Sequence, residues 1–267
     1  MRSLIATAVG LFLLAVAGPA LAQHRLLEVM NWKFHGPIES IEQREYKFDY
    51  DTLDISKDFE NSAVYHFDDA GRLKTIDEQD PYGKTTYTLR YDDAGRLEAL
   101  HRFRKANGGK TFENRRSCQR NDKGKITSLA VEEIVGIVSI KLKRQVENES
   151  EGNRRMIKTY EPKEDGGRAE RLYLFENDQL LSILKYDGYS KPDRISEANR
   201  YNAKGLREAE LNYHLADQPE KITSRYLYKY EFDARGNWIS QTRHTKWRDD
   251  PNKAMIRITR VVKYRDQ

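Results

Sequence analysis

Residues 87–103 read YTLRYDDAGRLEALHRF, and this stretch determines the predicted fold. At its start, the apolar side chains of Tyr87, Leu89 and Tyr91 occupy every second position, which places them on one face of a β-strand. The following Asp-Asp-Ala-Gly has turn chemistry. An early Asp accepts a hydrogen bond from a backbone N–H two residues on, and Gly95 reaches the positive φ that closes the turn. The stretch therefore predicts a β-hairpin.

A return strand follows this turn. Leu97, Ala99, His101 and Phe103 alternate with other residues, so we expect these four side chains to share one face of the second strand. Arg96 lies directly after the turn, where a long charged side chain remains in water.

The same unit recurs along the chain. Residues 64–73 repeat Asp-Asp-Ala-Gly-Arg-Leu, and looser copies lie at 120–126, 201–206 and 230–238. Residues 175–181 carry Asn-Asp in place of the turn Gly, and Asn and Asp are the next residues to tolerate left-handed φ. The turn glycines, at positions 71, 95, 124, 205 and 236, are unevenly spaced. Uneven spacing favours hairpins of varied length over a solenoid with a fixed rung.

Together these units predict an all-β fold with about fourteen strands. We expect a long antiparallel meander of β-hairpins that forms a curved sheet, either barrel-like or partly wrapped. Residues 49–61 and 148–153 are polar and poorly periodic, so they are predicted as loops. No change in composition marks a second domain, so residues 23–267 are expected to form a single β domain.

Residues 1–22 have the features of a secretory signal peptide. Arg2 precedes an apolar run, and Ala20-Leu21-Ala22 is a small-x-small cleavage site before Gln23. The protein is therefore expected to be exported, to the periplasm or the extracellular space, with no transmembrane segment after signal removal. An uncleaved signal that anchors the protein is the less favoured alternative, because the apolar run is shorter than the ~20 residues a membrane span needs.

The charge pattern argues against a nucleic-acid-binding protein, and the cysteine content excludes an intramolecular disulfide. Of the 47 Lys and Arg residues only Arg2 precedes the cleavage site, so 46 basic and 42 acidic residues remain, a net charge of +4. The two signs are interspersed, which is typical of a solvated surface and not of a nucleic-acid-binding protein. Cys118 is the only cysteine, so no intramolecular disulfide forms, and a buried thiol is favoured over a functional one. The oligomeric state is left open.

The repeated units resemble the YD repeats of Rhs and teneurin-type proteins. Their pattern is Tyr or Phe, Asp, two variable residues, Gly, a basic residue and a hydrophobic residue, and residues 67–73 and 91–97 fit it throughout. Gly236-Asn237-Trp238 resembles the Gly-Asn-Trp ending of small secreted members, and the resemblance covers most of residues 63–247. It implies a sheet of hairpins, and a role in binding carbohydrates or surfaces. Large relatives wrap such a sheet around a toxic domain, whereas we expect no toxin domain in this short chain.

No catalytic, cofactor-binding or metal site is predicted. The six histidines are scattered without a metal-binding spacing, and no nucleophile or phosphate-binding motif is present. The carboxylate pairs Asp68-Asp69 and Asp92-Asp93 resemble part of a glycosidase or calcium site. Adjacent side chains point in different directions, however, and Asp is common in turns because it accepts backbone hydrogen bonds. We therefore favour a role in the turns.

The aromatic residues near the end of the chain are the better candidates for ligand binding. They are Tyr226, Tyr228, Tyr230, Trp238 and Trp247. Flat rings with polar tips stack on sugar rings, and Arg or Lys between them would bind acidic glycans. The alternative, which we favour, is that these rings pack in the core face of the sheet.

Two classes of function remain. The first is a non-catalytic binding or scaffold protein that recognises a glycan or a cell-envelope protein through an aromatic sheet face. The alternative is an enzyme acting on envelope polysaccharides, although no acid/base pair supports it. An accessory protein of a secretion system is a third hypothesis, which the YD-repeat resemblance permits.

Overall fold

The structure, a computed structural model, describes residues 34–49, 54–135, 138–160, 169–177, 179–186, 195–213, 222–247 and 250–265. Within these ranges it contains 17 β-strands and no helix, so the described part of the chain has no helix capable of crossing a membrane. The strands are β1 (Ile38–Asp49), β2 (Asp54–Ile55), β3 (Asn61–Phe67), β4 (Leu73–Asp80), β5 (Gly83–Tyr91), β6 (Leu97–Ala106), β7 (Thr111–Arg120), β8 (Ile126–Val135), β9 (Val138–Glu151), β10 (Arg154–Tyr160), β11 (Ala169–Glu176), β12 (Gln179–Tyr186), β13 (Ile195–Tyr201), β14 (Arg207–Tyr213), β15 (Ile222–Phe232), β16 (Trp238–Trp247) and β17 (Asp250–Tyr264).

All the strands pair antiparallel, and from β3 to β17 each pairs with the next in sequence. The first strand has two long neighbours, because Ile41 lies opposite Tyr65 of β3 and opposite Val262 of β17. The succession of pairings therefore returns to β1. The two-residue strand β2 pairs with the far end of β1. The predicted all-β meander of hairpins is confirmed.

The repeated turns share one hydrogen-bonding pattern. In the 87–103 hairpin, the carboxylate of Asp92 accepts hydrogen bonds from the backbone N–H and the Nε of Arg96, both at 2.8 Å. Gly95, at a φ of 74°, donates its N–H to the carbonyl of Asp92. The same bonds join Asp68 and Arg72. The backbone N–H and the side chain of Arg96 hold the pKa of Asp92 below its ordinary value. The predicted turn role is confirmed for Asp68 and Asp92, whereas the Asp69 carboxylate pairs with Arg265 at 2.6 Å.

Asn or Asp is the first residue of the remaining turns of this type. Asn121, Asn202 and Asp233 each accept the N–H of the residue four positions on, and each also accepts the N–H two positions on. The copy at residues 175–181 has Asn177 at a φ of 50°, so Asn takes the left-handed conformation there, as expected. Because alternate connections of a meander return to the same end, these turns all lie at one end of the sheet, which we call the turn end.

An apolar cluster fills one face of the sheet near the turn end. We call this the inner face, and its most deeply buried side chains, each 0–1% exposed, are Ile38, Ile41, Ile76, Leu100, Tyr173 and Ile183. Burying such a side chain contributes about 1.5–3 kcal/mol. Tyr87 and Leu89 belong to the cluster and Tyr91 packs against it, which confirms the face predicted for the first strand of the hairpin.

The return strand of this hairpin differs from the prediction at its first residue. Tyr91 pairs with Leu97 but Arg90 pairs with Ala99, so Glu98 is the extra residue of a β-bulge. The bulge changes the phase of the alternation. Leu97 is 6% exposed in the core cluster, whereas Phe103 is 40% exposed on the outer face. The prediction that Leu97 shares a face with Phe103 is wrong.

The polar segments predicted as loops are partly strand. β9 runs on to Glu151, with Asn148 opposite Ile157, because the neighbouring strand supplies the partners for its backbone. β2 falls within the segment 49–61.

Cys118 is 5% exposed, and burial raises the pKa of its thiol, so the predicted buried cysteine is confirmed. The predicted signal peptide, residues 1–22, lies outside the described residues.

The last turn joins the two ends of the described chain. The side chain of Asn237 accepts the N–H of His35 at 2.8 Å, and its Nδ2 donates to the carbonyl of His35 at 2.6 Å and to the Tyr264 hydroxyl at 2.9 Å. The Tyr264 hydroxyl also donates to the carboxylate of Asp233. Burial alone would raise the pKa of Asp233, but the hydrogen bonds of Tyr264 and of backbone N–H groups outweigh it and lower that pKa. We call these four residues the clasp.

Candidate functional site

Three tyrosines follow the inner face of β15. Tyr226, Tyr228 and Tyr230 lie opposite Thr245, Arg243 and Gln241 of β16. Gln241 lies opposite Ile258, and Ile258 shares its face with Val262, the partner of Ile41. The tyrosine row therefore faces the interior, as the two-residue alternation predicted.

A cavity of about 350 Å³ lies between β1, β3 and the strands β12 to β17. We call it the arginine cavity. Aromatic side chains and basic side chains line much of it, and they are Phe34, Tyr65, Tyr201, Tyr228, Tyr230, Trp238, Lys204, Arg207, Arg243 and Arg260. Its volume is within the range of small-molecule sites in proteins.

Arginine side chains cover the faces of these rings. The guanidinium of Arg260 lies 3.4 Å from the centroid of Trp238 and 5.2 Å from that of Tyr65. Arg207 stacks on Tyr228 at 5.7 Å. These are cation–π distances, each contributing about 0.5–2 kcal/mol depending on burial. A sugar ring stacked on those faces would have to displace an arginine.

Tyr226 lies on the same face and stacks with Arg243, whose guanidinium is 4.8 Å from the ring centroid. The Nε of Arg243 is buried and has no hydrogen-bond partner among the described residues. A buried donor without a partner costs about 1–3 kcal/mol, so this nitrogen is a candidate to bind a ligand.

The tyrosine hydroxyls already have partners. Tyr228 donates to the carboxylate of Glu210 at 2.9 Å, and Tyr230 donates to the carbonyl of Arg207 at 2.7 Å while accepting from Gln241. Burial raises the pKa of Tyr228 and raises that of Tyr230 to about 12, so both phenols are neutral at physiological pH. The tyrosines thus position their neighbours, and the arginines supply the charge.

The charge of the arginine cavity is positive. Among the described residues, Lys204, Arg207, Arg243 and Arg260 line it, together with one carboxylate, that of Glu45. Glu210, which binds Tyr228, also pairs with Arg207 at 3.3 Å. Such an arrangement favours an anionic ligand.

The predicted ligand-binding residues are only partly brought together. Tyr228, Tyr230 and Trp238 line the arginine cavity, and Tyr226 lies next to it through Arg243. Trp247 ends β16, and its side chain is outside what the structure describes. The sequence prediction missed the three arginines as specific residues, because they come from β14, β16 and β17 and meet only through the pairing register. One signal was present: Arg260 interrupts the apolar alternation from Ile256 to Val262.

A second cavity, of about 680 Å³, lies on the outer face of β5 to β9. Small residues such as Ala99 and Ala130 form its floor. Two of its cations are already paired, since Arg115 lies 2.6 Å from Glu113, and Lys141 lies 3.5 Å from Glu132. The arginine cavity is therefore the better candidate for an anion site.

The described residues contain no group of three or more His, Cys, Asp or Glu side chains that could hold a metal ion.

No model of a known protein family matches the chain, and no curated protein matches it. Among solved structures, a crystal structure of a porin-like protein from Bacteroides uniformis is similar to it, with a TM-score of 0.38 and 13% sequence identity. The match covers 86% of this chain and 99% of that chain. The resemblance to YD repeats stays a prediction.

Proposed function

We propose that this chain is an exported, non-catalytic protein that binds a small acidic saccharide in the arginine cavity. The observation that carries this proposal is the set of three arginines, each stacked on an aromatic ring, around one cavity. A guanidinium stacked in this way is held in a fixed plane, so its N–H groups point in defined directions towards a carboxylate.

The positive charge supports an acidic rather than a neutral saccharide. The ring faces of Trp238 and Tyr228 are covered by arginines, so recognition depends on charge more than on stacking. The volume of about 350 Å³ suits a mono- or disaccharide. Glu210 supports a binding role over catalysis, because its carboxylate already accepts the Tyr228 hydroxyl and pairs with Arg207.

The predicted signal peptide supports the exported location, and mass spectrometry of the secreted protein should give Gln23 as its first residue. We also propose that the chain is a YD-repeat protein. Support comes from the Asp-x-x-Gly-Arg turns at residues 68–72 and 92–96, whose hydrogen bonds involve the Asp, Gly and Arg of the repeat.

Isothermal titration calorimetry with digalacturonate and with its neutral counterpart galactobiose tests the saccharide proposal. We expect digalacturonate to bind at least tenfold more tightly at low salt. Arg243→Gln should weaken that binding about 10- to 100-fold, since a hydrogen bond to a charged group contributes about 1.5–3 kcal/mol. Arg225, exposed on the outer face of the same hairpin, gives the matched control Arg225→Gln, which should bind as the unaltered protein does.

Equal binding of the two disaccharides, or equal losses in the two variants, would contradict the proposal. Absence of binding by any uronate saccharide, together with capture of a stoichiometric envelope protein, would favour a protein ligand instead. Shortened saccharide products after incubation would refute the non-catalytic part.

A further inference from the structure

A cluster of polar side chains lies on the inner face of β6, β7 and β8, away from the strands that line the arginine cavity. Arg102 lies opposite Asn114, and Asn114 lies opposite Glu133. Facing residues of paired strands lie about 5 Å apart, so Asn114 is the direct neighbour of both Arg102 and Glu133. Leu100 and Val131, two positions from Arg102 and Glu133, are 0% and 2% exposed, which places the cluster beside the apolar core.

The central residue of this cluster is fixed in orientation. Asn114 is 4% exposed, and its Oδ1 accepts a hydrogen bond of 2.6 Å from the Nε of Arg116, which is 3% exposed. The amide oxygen is therefore engaged, and the amide nitrogen points away from Arg116. We call Arg102, Asn114, Arg116 and Glu133 the polar cluster.

Apart from Arg116, the residues of the polar cluster each have one side-chain atom that is buried without a hydrogen-bond partner among the described residues. These atoms are the Nε of Arg102, the Nδ2 of Asn114 and the Oε2 of Glu133. Buried polar groups in folded proteins nearly always have partners, and each unpaired group destabilises the fold. One polar group bound between these adjacent strands would supply the missing partners.

The chemistry of these atoms restricts what that group is. Two of them are N–H donors, and the third is a carboxylate oxygen. Burial raises the pKa of Glu133, while Arg102 and Arg116 act in the opposite direction by favouring the carboxylate. The two guanidinium groups exceed the single carboxylate by one positive charge. The cluster therefore favours an anion that has acceptor oxygens and also a hydrogen to donate.

We propose that the polar cluster binds inorganic hydrogen phosphate, which keeps one P–OH hydrogen at pH 7. Arg102 and Asn114 donate to phosphate oxygens, and Glu133 accepts the hydrogen of the P–OH group. Sulfate has the same shape but carries no hydrogen at neutral pH, so its oxygens would meet the Glu133 carboxylate in repulsion. Glu133 is thus the residue that selects phosphate over sulfate. This inference does not depend on the proposed saccharide site.

Calorimetric titration of the mature protein with inorganic phosphate and with sulfate at pH 7 tests the inference. We expect phosphate to bind and sulfate to bind at least 100-fold more weakly. Glu133→Gln, which supplies an N–H in place of the carboxylate, should reduce that preference to less than tenfold. Glucose 6-phosphate, whose phosphate group has mostly lost its second hydrogen at pH 7, should bind more weakly than inorganic phosphate.

Glu132 provides the control, because it is the neighbouring residue on β8 and its side chain pairs with Lys141 on the outer face. Glu132→Gln should keep the full preference for phosphate, and so should Arg243→Gln in the arginine cavity. Arg102→Gln, verified as folded by circular dichroism, should lose phosphate binding. No phosphate binding by the unaltered protein, equal binding of sulfate, or an unchanged preference in Glu133→Gln would overturn the inference.

Discussion

Replacing Asn237 by Ala should release the N-terminal segment of the described chain from the last turn. Asn237 is 5% exposed, and its amide makes two hydrogen bonds to the backbone of His35, which is 202 positions away, and one to Tyr264. Ala keeps the backbone of the turn, because Asp233 binds residue 237 through its backbone N–H. The variant therefore removes the bonds of Asn237 to His35 and Tyr264 without removing the hairpin.

The three lost hydrogen bonds define the size of the effect. A hydrogen bond contributes about 0.5–1.5 kcal/mol net, so three contribute about 2–4 kcal/mol. His35 is exposed, so water replaces part of what its backbone loses, and we expect the lower half of this range, about 2–3 kcal/mol. With a slope of about 1–3 kcal/mol per M, the urea midpoint should fall by about 1 M.

Urea unfolding followed by circular dichroism measures this change, and hydrogen exchange of the His35 amide reports the local release. The matched control is Lys125→Ala, at the equivalent position of an earlier turn, where the side chain is exposed. That substitution should change stability by less than about 0.5 kcal/mol. If Asn237→Ala destabilises the protein no more than Lys125→Ala, or if exchange at His35 is unchanged, the clasp does not hold the chain ends together.

Three further outcomes are expected. Gly83, at a φ of 154°, has no room for a side chain, because a Cβ there would lie 2.3 Å from a carbonyl oxygen of β6. Gly83→Ala should therefore destabilise the protein by about 2–4 kcal/mol in the urea assay. Gly71→Ala, with open space around it, should cost about 1 kcal/mol in the same assay. The pKa values of Asp80 and Asp233 are lowered in the folded protein, so their contribution to stability is fully present above about pH 4–5. This contribution is lost as the pH falls through the folded pKa values. The urea midpoint of Asp233→Asn should therefore depend less on pH over that range than the midpoint of the unaltered protein. Cys118 should react with a thiol reagent only after unfolding, and rapid labelling of the native protein would contradict its burial.

The sequence predicted local structure well because hairpins are specified locally. The Asp-x-x-Gly pattern determines a turn through bonds within five residues, and two-residue alternation determines the inner face of Tyr226, Tyr228 and Tyr230. The β-bulge at Glu98 was not predictable in this way, because it depends on how the return strand meets its neighbour and not on the alternation within it.

Contacts between distant strands were beyond the reach of the sequence pattern. Pairing of β1 with β17 depends on the accumulated twist and register of all the strands between them. The arginine cavity depends on the same register, which brings Arg260 of β17 over Trp238 of β16 and Tyr65 of β3. A row of tyrosines on one strand was visible in the sequence, whereas arginines contributed singly by three strands were not.

The return of the pairing to β1 has a consequence for how the chain folds. β3 follows β1 closely in the sequence and pairs with it early. The other edge of β1 pairs with β17, whose Tyr264 lies opposite Ile38, so it stays unpaired until β17 is present. Contacts of such large sequence separation form slowly, because the loop entropy is lost before the contact stabilises the chain. While the chain is being made and folds, β1 therefore presents unpaired backbone groups until the last strand pairs with it, and in that interval it is the part of the molecule most exposed to strand exchange between copies.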